Sequence, residues 1–153
     1  VAKKDRVGLA RKHLAMVGLN GGENKYPSQL SGGMRQRVAL ARALSVEPKI
    51  ILMDEPFAAV DALSRHKLQE DLARIWQETR KTIVFVTHDI DEALYLADKV
   101  VVFSPHPGTI RNIIDIALPR PRSHFRNQLQ EEKDRIMQIY QYDATGEAMD
   151  YVI

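Results

Sequence analysis

Short apolar runs that alternate with helical patterns constrain the fold of this chain more than any other feature of its sequence. Residues 50–53, 82–86 and 100–103 are predominantly apolar runs of strand length, and the first two are typical of strands buried on both faces. Residues 62–80 and 90–97, between these runs, place apolar side chains at helical spacing. Because strands alternate with helices, the sequence predicts an α/β fold around a mostly parallel sheet.

The two ends of the chain add further elements. Residues 5–17 have helical spacing that ends at Gly18, and a second helix opens at Ser31. Residues 109–116 are expected to return as a hairpin strand, which would make this end of the sheet antiparallel, and a polar helix is predicted over 123–140. With 153 residues, 44% of them hydrophobic, the chain should form one modest core. One face of the second helix is predicted to carry Met34, Val38, Ala41 and Leu44.

Composition excludes several classes of protein. A net charge of +2 is too slight to predict nucleic acid or an anionic membrane surface as the main partner. The absence of Cys removes disulfides, thiolate metal sites and cysteine nucleophiles, and makes the cytoplasm the default location. No apolar run approaches the roughly 20 residues that span a bilayer, so an integral membrane protein is not expected. Since the chain begins at Val1 and runs straight into a charged helical pattern, we expect a fragment.

Residues 30–37 join Ser31, Gly32 and Gly33 to the first turn of a helix. Such a turn attracts anions, because unpaired backbone N–H groups and the positive end of the helix dipole point toward the ligand. The glycines permit close approach of the backbone, and the hydroxyl adds a donor. Phosphate is the natural ligand class. For these three residues alone, a serine-capped helix whose glycines fit a turn is the alternative interpretation.

Two adjacent carboxylates, Asp54 and Glu55, follow the apolar run at 50–53. Ligands of open α/β sheets bind at the carboxyl ends of strands, where one acid can hold Mg²⁺ and the other can orient or deprotonate an attacking water. A solvated acidic turn is the alternative interpretation of the pair by itself.

His88 follows the next apolar run, at the position where an imidazole could contact phosphate. A single histidine after a strand is more often structural or solvated. The remaining histidines match no catalytic motif and are predicted to be surface residues; they are His13, His66, His106 and His124.

The octet at residues 30–37, extended through residue 44, closely resembles the signature motif of ATP-binding-cassette (ABC) ATPases. In that family the signature of one subunit covers the γ-phosphate of ATP held on the phosphate loop of the other, across a head-to-tail dimer. The resemblance therefore implies a P-loop NTPase-like fold with ATP and Mg²⁺ as cofactors. It assigns nucleotide contacts to Ser31, Gly32, Gly33 and Gln36.

Two further segments resemble catalytic motifs of the same family. Residues 50–56 resemble the Walker B motif, which would make Asp54 the metal-side acid and Glu55 the catalytic carboxylate. Residues 86–89 resemble the segment that carries the switch histidine, which implies a catalytic role for His88.

Residues 58–61 stand where the family has its D-loop, which connects the two sites of the dimer. The family more often shows Ser-Ala-Leu-Asp, so Ala58 and Val60 are departures and Asp61 is retained. The resemblance gives Asp61 a role in the nucleotide site, and an N-cap for the following helix is compatible with it.

The motif G-x-x-x-x-G-K-[ST] of the phosphate loop, or Walker A, is absent from the sequence, as are the family's adenine-stacking aromatic and Q-loop glutamine. By resemblance, residues 1–45 are part of the helical subdomain, residues 46–118 are the second half of the ATPase core, and residues 119–153 are a linker, helix and tail. We therefore expect the chain alone to bind ATP weakly or not at all.

The turn at 104–108, followed by the Pro–Arg segment at 118–122, resembles importers of nitrate, sulfonate and taurine. This implies a peripheral protein at the cytoplasmic face of the membrane that energises uptake of a small anionic solute. Its partners would be a second ABC ATPase subunit, transmembrane permease subunits and, indirectly, a solute-binding protein, but no nucleic acid. The alternatives are an ABC ATPase that manages DNA, which the lack of heptads and Cys-rich inserts disfavours, and a non-catalytic half-domain that binds partner proteins.

Overall fold

The computed structural model describes residues 2–104, 107–122 and 126–141. The chain divides into two compact units, Val1–Val84 and Phe85–Ile153. Each unit contains its own cluster of buried apolar side chains. The expectation of one modest core is therefore wrong. The cluster of the first unit joins residues from Val17 to Ile75, and that of the second unit joins residues from Ala93 to Ile136.

The first unit is mainly helical. A short 3₁₀-helix, Lys3–Asp5, leads into α1 (Arg6–Met16), and a second 3₁₀-helix, Pro27–Gln29, precedes α2 (Gly32–Leu44). Strand β1 (Ile50–Asp54) is followed by α3 (Ala62–Thr79), and the unit ends at Val84, within β2 (Thr82–Val86). Gly18 has a φ of 71°, which ends α1 as the sequence predicted.

The core of the first unit lies between these helices and β1. Ile75 of α3 is only 1% exposed, and it packs with Leu44 of α2 and Ile51 of β1. The predicted apolar face of α2 is confirmed, since all four of its residues belong to or border this cluster. The other buried members are Val17, Leu19 and Ala41.

The prediction that the first two strands are buried on both faces is wrong among the described residues. Ile51 of β1 is buried, whereas its neighbours Ile50 and Leu52 are 56% and 77% exposed. In β2, Val84 is 49% exposed. Successive side chains of a strand point to opposite faces. Helices therefore cover one face of β1, and the opposite face remains accessible in the described part of the chain.

The second unit consists of α4 (Ile90–Leu96), β3 (Lys99–Phe103), β4 (Ile110–Asp115) and α5 (Arg126–Gln141). The two strands pair antiparallel, with Val100 opposite Ile114, which confirms the predicted hairpin. Ile136 of α5, which is fully buried, packs with Leu94 of α4 and with the inward side chains of the hairpin. The helix predicted over 123–140 is thus present from residue 126, while residues 123–125 and the tail from 142 lie outside the described residues.

Arg122 is an interior residue of the second unit, only 1% exposed. Its Nη1 donates to the carbonyl oxygens of Leu94 (2.7 Å) and Ala97 (2.6 Å), at the C-terminal end of α4. Its Nη2 donates to Ile116 O and its Nε donates to Leu118 O, both at 3.2 Å. The guanidinium therefore pairs carbonyl groups at a helix end, which a helix cannot pair internally.

The prediction of surface histidines is wrong for His13, which is 6% exposed in α1. Its Nδ1 lies 2.9 Å from Leu9 O, one helical turn earlier, so the ring is held against its own helix. His66 is exposed as predicted and lies 3.5 Å from Glu70, whereas His106 and His124 fall outside the described residues. No helix in the described ranges is long and apolar enough to cross a membrane.

Candidate functional site

The N-terminus of α2 begins at Ser31, as predicted. Ser31 Oγ accepts a hydrogen bond from the Met34 amide at 3.3 Å, which pairs one of the N–H groups of the first turn. The side chain of Arg35 folds back along the chain, and its Nη1 donates a hydrogen bond to the carbonyl oxygen of Leu30 at 2.7 Å. Ser31 is exposed, so the turn is accessible to a ligand.

Gly32 and Gly33 place this turn close to the loop that follows β1. A Cβ at position 32 would lie 3.4 Å from Ala59 O, and a Cβ at position 33 would lie 3.9 Å from Ser64 Cβ. The structure therefore brings the two glycines next to the segment at residues 58–64, which contains Asp61.

Asp61 is the N-cap of α3. Its Oδ1 accepts a hydrogen bond from the Ser64 amide at 3.0 Å. Hydrogen bonds from the Ser64 backbone and hydroxyl lower the pKa of the Asp61 carboxyl, because they stabilise its ionised form. The predicted cap is confirmed, and it fixes the loop beside the glycines.

Asp54 and Glu55 lie together at the carboxyl end of β1, and both are exposed. They line a cleft of about 290 Å³ together with Gln36 of α2. The structure therefore gathers three of the predicted site residues around one space. The Glu55 backbone has a φ of 40°, a left-handed conformation that non-glycine residues adopt at some cost and that is enriched at functional sites.

A pair of charged residues that sequence reasoning missed borders the same cleft. Arg37 Nη1 of α2 lies 2.6 Å from Asp71 Oδ2 of α3, and each side chain is 15% exposed. Arg37 also donates to Val17 O at 2.5 Å, at the end of α1. This pair connects three helices behind the cleft. No local pattern could have indicated it, because the partners lie far apart in the sequence.

His88 lies in the second unit, between β2 and α4, and its side chain is exposed. Its neighbours are held firmly: Thr87 is buried and donates from Oγ1 to Glu92 Oε2 at 2.8 Å. Asp89 caps α4, accepting hydrogen bonds from the amides of Asp91 (2.9 Å) and Glu92 (3.3 Å).

The donor chemistry at the end of β1 suits Mg²⁺, which prefers carboxylate oxygens together with water and phosphate. In the described ranges no group of three or more His, Cys, Asp or Glu side chains is arranged to hold a metal ion. Asp54 and Glu55 could thus supply one or two ligands, with the remainder coming from water and a bound phosphate group.

Comparison with known proteins identifies similar sequences among ATP-binding proteins of transporters. The sequence profile of the ABC transporter family matches residues 2–58. An uncharacterised ABC transporter ATP-binding protein of Methanocaldococcus jannaschii is 51% identical over 139 residues, which cover 91% of this chain and 52% of that protein. An aliphatic sulfonates import ATP-binding protein of Bacillus cereus is 46% identical, and the match covers 91% of this chain and 54% of that protein. A nitrate import ATP-binding protein of Synechococcus elongatus is 53% identical, and the match covers 72% of this chain and 40% of that protein.

A solved structure resembles the chain as well. It is the dimeric, post-hydrolysis state of an ATP-binding cassette bound to ADP and Pi, with a TM-score of 0.63 and 34% sequence identity. The match covers 78% of this chain and 50% of that one. The chain spans about half the length of the curated relatives from Methanocaldococcus jannaschii and Bacillus cereus. Residues 2–58 thus match the ABC transporter family, and the relatives and the solved structure that resemble most of this chain are ATP-binding proteins.

Proposed function

We propose that this chain is part of the ATP-hydrolysing subunit of an ABC importer. The observation that carries the proposal is the placement of Asp54 and Glu55 at the carboxyl end of β1, in one cleft with Gln36. In this proposal Asp54 contributes to holding Mg²⁺ beside the phosphates. Glu55 orients or deprotonates the water that attacks the γ-phosphate.

Ser31, Gly32 and Gly33 act on a nucleotide held by a second cassette, in a head-to-tail dimer. The accessible turn at the start of α2 supports this role, because its backbone N–H groups and helix dipole favour a phosphate. Asp61 fixes the adjoining loop. His88 contacts the γ-phosphate and responds to its loss.

The transported solute is a small anion of the nitrate or sulfonate kind. Support comes from the Bacillus cereus and Synechococcus elongatus relatives, which are import ATP-binding proteins for aliphatic sulfonates and for nitrate. The partners are transmembrane permease subunits and, through them, a solute-binding protein. The subunit would work at the cytoplasmic face of the membrane.

The test replaces Glu55 with glutamine in a chimeric cassette, in which this chain takes the place of the matching part of the Bacillus cereus relative. Loss of the positioned carboxylate should slow ATP hydrolysis by roughly 100-fold or more while ATP binding is preserved. Steady-state release of phosphate and filter binding of labelled ATP measure the two quantities separately.

Glu47→Gln is the matched control. Glu47 is also an exposed glutamate of the first unit with a positive φ, 50°, but it does not line the cleft. Its replacement should leave turnover within about twofold of the parent chimera. Equal turnover in the Glu55 variant and the parent would remove Glu55 from the proposed role.

A further inference from the structure

The turn that carries His88 is held by two buried polar side chains. Thr87 is 3% exposed and Glu92 is 4% exposed, although His88 between them in sequence is exposed. The Thr87 hydroxyl donates to the Glu92 carboxylate at 2.8 Å. A buried polar pair of this kind is costly unless both groups find partners, so its geometry is strongly determined.

The same hydroxyl also fixes the residue on the other side of His88. The Asp89 amide donates to Thr87 Oγ1 at 3.0 Å. A hydroxyl has one proton to donate and two lone pairs, so Thr87 can serve Glu92 and the Asp89 amide together. The backbone on both sides of His88 is therefore attached to one hydroxyl, and that hydroxyl is attached to Glu92.

Helix α4, which carries Glu92, is held at both ends. At its start, Asp91 pairs with Lys133 of α5 at 2.7 Å. At its end, Arg122 donates to the carbonyl oxygens of Leu94 and Ala97. The helix that carries Glu92 is thus attached to the rest of the second unit at both ends.

We propose that Thr87 and Glu92 are positioning residues for His88, forming a bracket of two hydrogen bonds that sets the place of the imidazole. The inference rests on the proposed function, in which His88 contacts the γ-phosphate. Because the two residues act through His88, their loss lowers kcat and leaves the KM for ATP nearly unchanged.

The structural arm of the test uses the 153-residue chain itself. Thr87→Val removes the hydroxyl at almost constant volume, and the exchange of the Asp89 amide proton is followed by NMR. Its rate should rise about tenfold, since the amide loses its acceptor. Thr87→Ser restores the hydroxyl and should return the rate to that of the parent. Thr82→Val, at an exposed threonine of β2, is the matched control and should change nothing.

The catalytic arm places the same variants in the chimeric cassette, together with Glu92→Gln, which keeps an acceptor, and His88→Ala. Thr87→Val should lower kcat about tenfold at constant KM, while the serine and glutamine variants retain most of the parent kcat. If the Thr87→Val variant fails to fold, Glu92→Gln still tests the proposal. A tenfold fall in the kcat of the Glu92→Gln variant would contradict the role of Glu92 as the acceptor of the Thr87 hydrogen bond.

Failure of the proposed role of His88 and failure of the Thr87–Glu92 bracket give different results. Unchanged turnover in His88→Ala overturns the proposed role of His88, and the inference with it. If His88→Ala is inactive while Thr87→Val alters neither Asp89 exchange nor kcat, the bracket alone is refuted.

Discussion

Replacement of Arg122 with methionine removes a buried cation while keeping much of its apolar stem. The parent side chain donates hydrogen bonds to four carbonyl oxygens, two at the end of α4 and two in the segment after β4. Methionine offers no donor, so these acceptors would lose a partner inside the second unit. We expect local destabilisation of this unit.

The expected loss of stability in Arg122→Met follows from two opposing contributions. Hydrogen bonds to a charged group contribute about 1.5 kcal/mol each at the lower end of the usual range, or about 6 kcal/mol for four. Burial, followed by repulsion from Arg120, lowers the pKa of Arg122 to about 10, so the guanidinium stays charged at neutral pH. That lowering corresponds to a net cost of about 3 kcal/mol for keeping the guanidinium charged in these surroundings. The difference predicts a net loss of about 3 kcal/mol in the stability of the second unit in Arg122→Met.

Hydrogen exchange followed by mass spectrometry measures this loss locally. A destabilisation of about 3 kcal/mol should accelerate exchange of the β3 amides about 100-fold, provided that they exchange through opening of the unit. Helix α3, in the first unit, is the internal reference. Arg111→Met, at an exposed arginine of β4, is the matched control. Exchange of β3 within about threefold of the parent chain in Arg122→Met would refute the reasoning.

Two further predictions concern α3. The lowered pKa of Asp61 means that its ionised cap stabilises the helix start at neutral pH, and that this contribution is lost as the pH falls below about 4. Exchange of the Ser64 amide should therefore lose protection in acid, whereas Asp61→Ser, which keeps a cap oxygen without a charge, should show no such titration. Ile75→Ala should lower the free energy of unfolding of the first unit by about 2–5 kcal/mol, because Ile75 is 1% exposed in the core. Urea denaturation followed by Trp76 fluorescence checks this, with Leu63→Ala as the control at an 87% exposed position of the same helix; equal losses in both variants would contradict it.

Patterns that depend on neighbouring residues were read correctly from the sequence. The Ser31 and Asp61 caps, the apolar face of α2 and the β3–β4 hairpin all follow from side-chain spacing and turn residues. The adjacency of Asp54 and Glu55 is covalent, so their shared position at the end of β1 was also predictable.

The sequence predicts the burial of individual side chains less well than it predicts helix caps and strand pairing. The apolar run at 50–53 has the composition of a strand covered on both faces, yet Leu52 is 77% exposed, because composition does not record which elements pack on each side. The Pro–Arg segment has the composition of a linker, yet Arg122 lies in the interior of the second unit. Its acceptors on α4 are more than twenty residues away in sequence.

The sequence by itself predicted the succession of helices and strands, the resemblance to ABC ATPases and the candidate site residues, since these depend on short motifs and on periodicity. Only the tertiary structure decided which faces are covered, that the apolar residues form two cores, and that Arg37 pairs with Asp71 beside the cleft. It also showed that the Thr87 hydroxyl links both neighbours of His88 to Glu92. These features depend on distances and directions between side chains, which follow from the packing of whole elements and leave no local pattern in the sequence.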